Sequence, residues 1–457
     1  NRFGQLKPSL LLAHQKYSYN GKKFDQEDKI NQLQRFLPSL KKTILFDSSF
    51  DNWNLNSNYW IDYELESVNF DHPLWVLFSS GTTGKPKAIT HSTGGILLEQ
   101  YKSLSLHQNI VSGDRFFWNT TTGWMMWNYA IGSFLCGAVL CLYDGSANFP
   151  DIGVQWRFAK EAKINHFGNG SPLFIASMKQ DIDDVNDKDL KFIKTIGATG
   201  SPLSVEAFKW LQKKLPKAQI ISLSGGTDVC SAFIGGCSKL PVYAGFLQCN
   251  MLGASIQAWD ENGENVKGET GELVITEPMP SMPIYFWGDH DFKKYHNSYF
   301  VKNPGVWTHG DWIYIDDLKG VLMQGRSDAT LNRNGIRIGT SEIYSALDSV
   351  SEIKDSLIID LNTDTSSKLI LFVESENKLN QNLKNKINEV IKNKCSPRHT
   401  PNLIFSISQV PYTISGKKME IPIKKILLGQ NIDDVVSKGA MRNPECIDDF
   451  LKLKVNI

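Results

Sequence analysis

Short apolar runs alternate with longer amphipathic stretches through the first half of the chain. Leu74–Phe78, Phe116–Trp118, Ile164–Phe167, Phe192–Ile196 and Gln219–Leu223 have the length and make-up of buried strands. Apolar residues at helical intervals predict helices over 25–37, 92–106, 153–162, 171–180 and 204–214. Strands alternating with helices predict an open α/β sheet, in which ligands sit at the carboxyl ends of strands. Three loops of small residues fall at such ends, at 79–87, 197–202 and 224–228. The run from Met125 to Tyr143 is almost wholly apolar and about long enough to span a bilayer. Asn128, Ser133 and the Gly137-Ala138 pair interrupt it, and no Lys or Arg lies between Arg115 and Arg157. It therefore reads as a buried helix over about 125–136, a glycine turn and a core strand over 139–143.

The texture changes from about 242 to 276, where strand-like runs at 254–259 and 272–276 are joined by glycine turns. Hairpins, and a small barrel-like subdomain, are expected there. The α/β pattern restarts after Arg333-Asn334-Gly335. A helix capped by Thr340 or Ser341 should run to about 350. Strands over 356–361, 368–373 and 403–407 and a polar helix over 380–394 should follow. The expected fold class is α/β, with a large N-terminal domain over 1–327, which includes the barrel-like subdomain, and a smaller α/β (α+β) domain over 328–457. The boundary falls at Asp328.

Composition narrows the function. At 457 residues, 41% hydrophobic and 21% charged, the chain suits a globular protein of two or more domains rather than a disordered one. Its net charge of +1 gives no basic field for nucleic acid. The seven cysteines are odd in number and lack Cys-x-x-Cys spacing, so reduced thiols in a cytoplasmic protein are expected, with no structural metal. The chain opens on Asn1 rather than Met, which points to a missing N-terminus.

The candidate chemistry centres on Ser79-Ser80-Gly81-Thr82-Thr83-Gly84-Lys85-Pro86-Lys87. Glycines admit an anion close to the backbone, hydroxyls and N–H groups donate to phosphate oxygens, and the lysines add charge. This is not a Walker A loop, because only two residues separate Gly81 from Gly84-Lys85. A flexible turn is the plain alternative. A helix beginning just after the loop, at Ser92, would aim its dipole at a bound anion. The Thr/Gly cluster 119–123 could line a pocket with Trp124 as an aromatic wall, or Trp124 could be a structural aromatic.

Residues 79–87, with Thr90-His91 just after them, resemble the signature loop of the adenylate-forming superfamily. That family holds acyl-CoA synthetases, luciferases and the adenylation domains of peptide synthetases. The resemblance covers nearly the whole chain and implies ATP, Mg2+ and CoA as ligands. It also implies small-molecule substrates, with no nucleic acid or membrane partner. Family members are longer at the N-terminus.

By this resemblance Gly200-Ser201-Pro202 lies against adenine, with Ser201 in place of an acid. Ser224-Gly225-Gly226 leads into Thr227-Asp228, where Thr227 contacts phosphate and Asp228 helps hold Mg2+. Read alone, Thr227-Asp228 also suits a helix cap. Asp311, in His309-Gly310-Asp311, accepts both ribose hydroxyls, and Arg326 reaches the same sugar. Lys417, in Ser415-Gly416-Lys417, neutralises charge on the α-phosphate and carboxylate, whereas Lys418, Lys424 and Lys425 read as solvated charges. Asp328 matches the hinge about which the small domain rotates to admit CoA. Gly335 and Arg337 match the segment that approaches the site after that rotation, and Arg398 is a candidate for a CoA phosphate.

Acetate-specific relatives carry a pocket-closing Trp where Gly225 stands, which implies room for a longer acid beside Trp124. Segments such as Thr122–Trp127 and Pro304–Trp312 resemble those of acetoacetate-activating members of the family, and that resemblance implies acetoacetate as the acid. The expected reaction is ATP-dependent, AMP-forming acid–thiol ligation. The alternatives are a short- or medium-chain acid substrate, an inactive nucleotide-binding fragment, or a module that loads a carrier protein.

Overall fold

The computed structural model describes residues 2–46, 64–79, 86–318, 320–327, 331–333, 336–363, 366–375, 378–414, 416–436, 439 and 441–453. Ser80, Gly81, Thr82, Thr83, Gly84, Lys85, Asp328, Gly335 and Ser415 lie outside the described residues, as does the side chain of Arg337.

From Arg115 onward the strand–helix alternation folds as expected, whereas Pro73–Phe78 belongs to a separate antiparallel sheet with Ala88–Ser92 and Tyr285–Phe286. Five parallel strands form one sheet in the order Gln219–Ser222, Thr195–Thr199, His166–Gly170, Arg115–Trp118, Val139–Leu140. Helices Val154–Glu161, Ser171–Lys179 and Val205–Lys214 cross between successive strands. Trp156, Phe167, Phe174, Phe208 and Leu211 are buried in the core they enclose. Trp156 stacks on Phe167 with ring centroids 4.5 Å apart.

One strand lies later than expected, at 195–199 rather than 192–196. Its register is set across the sheet, with Thr195 opposite His166. Thr195 Oγ1 lies 2.8 Å from the buried His166 Nδ1, so pairing outweighs the apolar start of the run. The long apolar run forms the helix Met126–Gly132, a 3₁₀ turn Ser133–Cys136 and the short strand Val139–Leu140. Gly137 supplies the left-handed residue between them, at φ 71°. Among the described residues no helix is long and apolar enough to cross a membrane.

The signature loop has a different setting from the one expected. Strand Pro73–Phe78 runs into it, but strand Ala88–Ser92 leaves it and pairs antiparallel with the first. The helix Thr93–Tyr101 starts only after this second strand, where Ser92 lies opposite Pro73 at the far end of the hairpin. Five strand residues at about 3.4 Å each put that helix terminus roughly 17 Å from the loop, so its dipole does not serve the loop.

Hairpins begin earlier than the texture suggested. Ser224–Gly226, read as part of a loop, pairs antiparallel with Ser231–Gly235. Beyond them Ile256–Trp259, Thr270–Ile275, Trp307–Ile315 and Val321–Arg326 form one antiparallel sheet in that order.

In the last part of the chain Ile353–Thr363 and Ser366–Ser375 pair antiparallel, with Leu403–Ser406 added parallel. Alternation along the strand sends Leu357 and Ile359 to one face and Ile358 to the other, so each face carries its own core. The helix Thr340–Leu347 is not capped by Thr340 or Ser341. Gly339 precedes it, and Ser341 Oγ donates instead to the Met323 carbonyl, at 3.1 Å. Each buried hydrophobic cluster draws either on residues up to Met323 or on residues from Leu331 onward.

Candidate active site

The carboxyl edge of the parallel sheet carries two of the three expected loops, 197–202 and 224–228; loop 79–87 follows a strand of a separate antiparallel sheet. Leu223 N–H donates to Ala198 O and Thr199 Oγ1 to Leu223 O, at 2.9 and 2.8 Å, which ties the segment after one strand to that after its neighbour. Gly200 has φ +87°, and a Cβ there would lie 3.9 Å from the Trp124 ring, so the two expected walls are neighbours. Ser201 is held through its carbonyl, which accepts from Ser171 Oγ at 2.6 Å, and Pro202 continues the turn.

Ser79 and Lys87 close the mouth of the signature loop. Ser79 N–H donates to Lys87 O at 3.2 Å, and Lys87 N–H donates to Ser79 Oγ at 3.3 Å. Lys87 Nζ then reaches across to Asp228, donating to Oδ1 at 3.0 Å. It also lies 4.7 Å from the centre of the Tyr299 ring.

Asp228 sits in the turn between Ser224–Gly226 and Ser231–Gly235. Its Oδ1 accepts a short hydrogen bond from the Tyr299 hydroxyl as well as the one from Lys87. Its backbone carbonyl accepts from His91 Nε2 at 3.0 Å. Burial alone would raise the Asp228 carboxyl. The charge of Lys87, the His309 imidazole and the two hydrogen bonds outweigh it and hold the group well below the usual carboxylate range. Burial pushes His91 down to about 4, so it is neutral and donates through Nε2. Thr227 stands beside Asp228, half-buried, with no hydrogen bond from its hydroxyl to the described residues.

Asp311 and Arg326 are register partners on adjacent strands, with Arg326 Nη1 3.5 Å from Asp311 Oδ1. Gly310, at φ +88°, lets the guanidinium lie across the backbone, since a Cβ there would come within 3.0 Å of it. His309 fills the space between the two carboxylates. Trp307 Nε1–H can only donate, so the 3.3 Å contact makes His309 Nδ1 an acceptor and leaves the proton on Nε2. That Nε2 lies 3.6 Å from Asp311 Oδ2. Burial lowers the His309 pKa, against the pull of Asp311 and Asp228, and Arg326 and Lys417 lower it further.

The influence of Lys417 on His309 puts the C-terminal lysine within electrostatic reach of this site. Lys417 is exposed on a turn closed by Thr413, whose N–H donates to Lys417 O and whose Oγ1 accepts from Lys417 N–H. Lys418 and Lys424 are not solvated charges. Lys418 pairs with Asp355 at 2.7 Å over the Tyr344 ring, and Lys424 pairs with Asp360 at 2.6 Å. Arg398 is exposed in a short 3₁₀ turn.

Gly225 faces the backbone of its partner strand. A Cβ there would lie 2.0 Å from the Ser231 carbonyl oxygen, so a side chain cannot be added unless the hairpin shifts. Motif reading missed Tyr299, and saw His91, Trp307 and His309 only as neighbours of other residues. No periodicity or motif marks Tyr299, which reaches Asp228 across 71 positions.

Lys87, Asp228 and Asp311, carried by three different antiparallel sheets, put a lysine and two carboxylates in one cluster with His309, an arrangement suited to a charged, phosphate-bearing ligand. Residues 3–286 match the AMP-binding enzyme family, and the chain belongs to that family. It is similar to the acetoacetyl-CoA synthetase of Mus musculus, with 36% identity across 98% of this chain and 70% of the relative. It is likewise similar to the acetoacetyl-coenzyme A synthetase of Rhizobium meliloti, with 36% identity across 99% of this chain and 72% of the relative. The solved acetoacetyl-CoA synthetase from Streptomyces lividans superposes with TM-score 0.91 at 40% identity, over 100% of this chain and 72% of that one. An anthranilate CoA ligase bound to anthranoyl-AMP shares the fold, with TM-score 0.78 at 19% identity, over 93% of this chain and 79% of that one.

Proposed function

We propose that this chain is an acetoacetate–CoA ligase. In a first step acetoacetate attacks the α-phosphorus of ATP and gives acetoacetyl-AMP and pyrophosphate. In a second the CoA sulfur attacks the acyl carbon, releases AMP and loses its proton. The observation that carries the reading is similarity to acetoacetyl-CoA synthetases along essentially the whole chain. The cluster of Lys87, Asp228, His309 and Asp311 supports it.

Asp311, with Arg326 beside it, accepts the ribose hydroxyls. Trp124 and Gly200 form the wall for base and acid. Ser79, Ser224 and Gly226 shape the phosphate cradle together with Ser80, Gly81, Thr82, Thr83, Gly84 and Lys85, and Thr227 donates to a phosphate oxygen. Lys417 neutralises the charge that builds between carboxylate and α-phosphate. Asp228 would hold Mg2+, which would supply positive charge against the phosphates. Asp228 fits such an ion, because magnesium takes one or two carboxylates beside phosphates, and Oδ2 of Asp228 has no donor among the described residues. We further read 1–327 and 328–457 as two domains hinged at Asp328, which the separation of the hydrophobic clusters supports. Gly335 and Arg337 belong to the CoA-transfer pose, and Gly225 is a boundary of the acyl pocket. Seven free cysteines support a cytoplasmic location.

Acid-dependent AMP formation in the presence of CoA tests the activity. Acetoacetate should be preferred over acetate, butyrate, 3-hydroxybutyrate and octanoate. AMP from another acid in preference would replace the substrate, and AMP from none would reject ligation.

A further inference from the structure

Magnesium can take either oxygen of a carboxylate, or both, and the choice decides where the bound phosphates lie. In this protein the two oxygens of Asp228 are unequal. Oδ1 accepts from Lys87 Nζ and from the Tyr299 hydroxyl. Oδ2 accepts from nothing among the described residues. A cation set against Oδ1 would meet an ammonium group and a phenolic hydrogen.

Tyr299 ends the helix Lys293–Tyr299 and is only 4% exposed. Its ring stacks on Trp307 with centroids 3.5 Å apart and planes 12° apart, and Phe286 and Tyr295 pack against it edge-on. A phenylalanine would fill this place equally well, so packing does not account for the hydroxyl. The hydroxyl has two contacts, donating to Asp228 Oδ1 and accepting from Lys87 Nζ at 3.4 Å.

We propose that Tyr299 is a positioning residue for the metal: it holds Oδ1 of Asp228 together with Lys87 and so presents Oδ2 as the ligating oxygen. The assignment rests on the adenylation reading above. When MgATP arrives, Lys87 can turn from Oδ1 toward phosphate while Tyr299 keeps the carboxylate from rotating. Trp307 clamps the tyrosine ring, and through its Nε1–H it also sets the His309 tautomer, so one indole braces both carboxylates of the site.

The test is Tyr299→Phe, which keeps the ring and removes the hydroxyl. ATP binding is followed by calorimetry as Mg2+ is varied, without acid or CoA, alongside thermal unfolding and steady-state kinetics. The Mg2+ concentration for half-maximal binding should rise roughly tenfold. Turnover at saturating Mg2+ should stay within about twofold of wild type, and the melting temperature should be nearly unchanged. A folded variant with an unaltered Mg2+ requirement would overturn the proposal. Should the variant not fold, difluorotyrosine placed at 299 alone serves instead. Its fluorine resonance should move when Mg2+ is added to the ATP-bound protein, and a resonance that stays put would overturn the assignment. Wild-type protein that binds no ATP with Mg2+ would fail at the adenylation reading itself and take this proposal with it.

Discussion

Two lysines of the candidate site, Lys87 and Lys417, are held in opposite ways. Lys87 is locked against Asp228 and Tyr299 in a cluster that also includes His91, Trp307 and His309, all parts of the larger N-terminal unit. Lys417 is exposed on a turn closed by hydrogen bonds with Thr413 and bridged to Met441. The first is already paired with a carboxylate of the site before a nucleotide binds. The second is carried by a separately cored unit and meets the site only where the two units come together. On the proposed reading, the nucleotide-binding groups belong to one cored unit and the lysine that neutralises transferring charge belongs to another.

The sharpest way to break this contrast is Lys417→Ala. Acetoacetate-dependent pyrophosphate exchange should fall by about a thousandfold. Thioester formation from supplied acetoacetyl-AMP and the melting temperature should both be nearly unchanged. Equal loss in both half-reactions would mean that Lys417 is also needed for transfer. Asp311→Ala, on the rigid side, should instead weaken ATP binding by about ten- to a hundredfold, for lost hydrogen bonds to a charged acceptor, and leave the ranking of acids as it was. A changed ranking would remove Asp311 from the ribose.

Smaller effects sharpen the same comparison. Gly225→Ala should cost about 1–3 kcal/mol by chemical denaturation, because its Cβ meets the Ser231 carbonyl. A neutral result would show that the hairpin yields easily, and would make an indole there a fair test of acid size. Asp348 lies between the two units, near Lys179, Ser204 and Lys418, and burial raises its carboxyl to about 6, against the pull of both lysines. A folded-state value above the ordinary 3.8 means that its contribution is present at low pH and is lost as pH rises through about 6. Asp348→Asn should therefore raise the melting temperature by about 2 °C near pH 7.5 and leave it unchanged near pH 4. A gain at both pH values would place the effect in packing rather than ionisation.

Several residues that the structure brings together were legible in the sequence. Lys87, Thr227, Asp228, Asp311 and Lys417 each stand in a short segment whose residue order resembles the family's. The alternation of apolar and amphipathic runs put three of the relevant loops at strand ends. Pattern reading failed where a distant partner decides the outcome. It let a helix follow the signature loop, although Ala88–Ser92 pairs back on Pro73–Phe78, because helical spacing over 92–106 says nothing of the strand before it. It took Lys418 and Lys424 as solvated, although Asp355 and Asp360 lie more than sixty positions away.

Hydrophobic period is a local quantity, and it sufficed for the parallel sheet, the hairpin-rich region and the restart of the α/β pattern after 335. Which oxygen of Asp228 is left for a metal depends on Lys87 and Tyr299, 141 and 71 positions away. A buried tyrosine has the same periodic signature whether its hydroxyl is idle or donates to a carboxylate, so only tertiary structure could assign that bond.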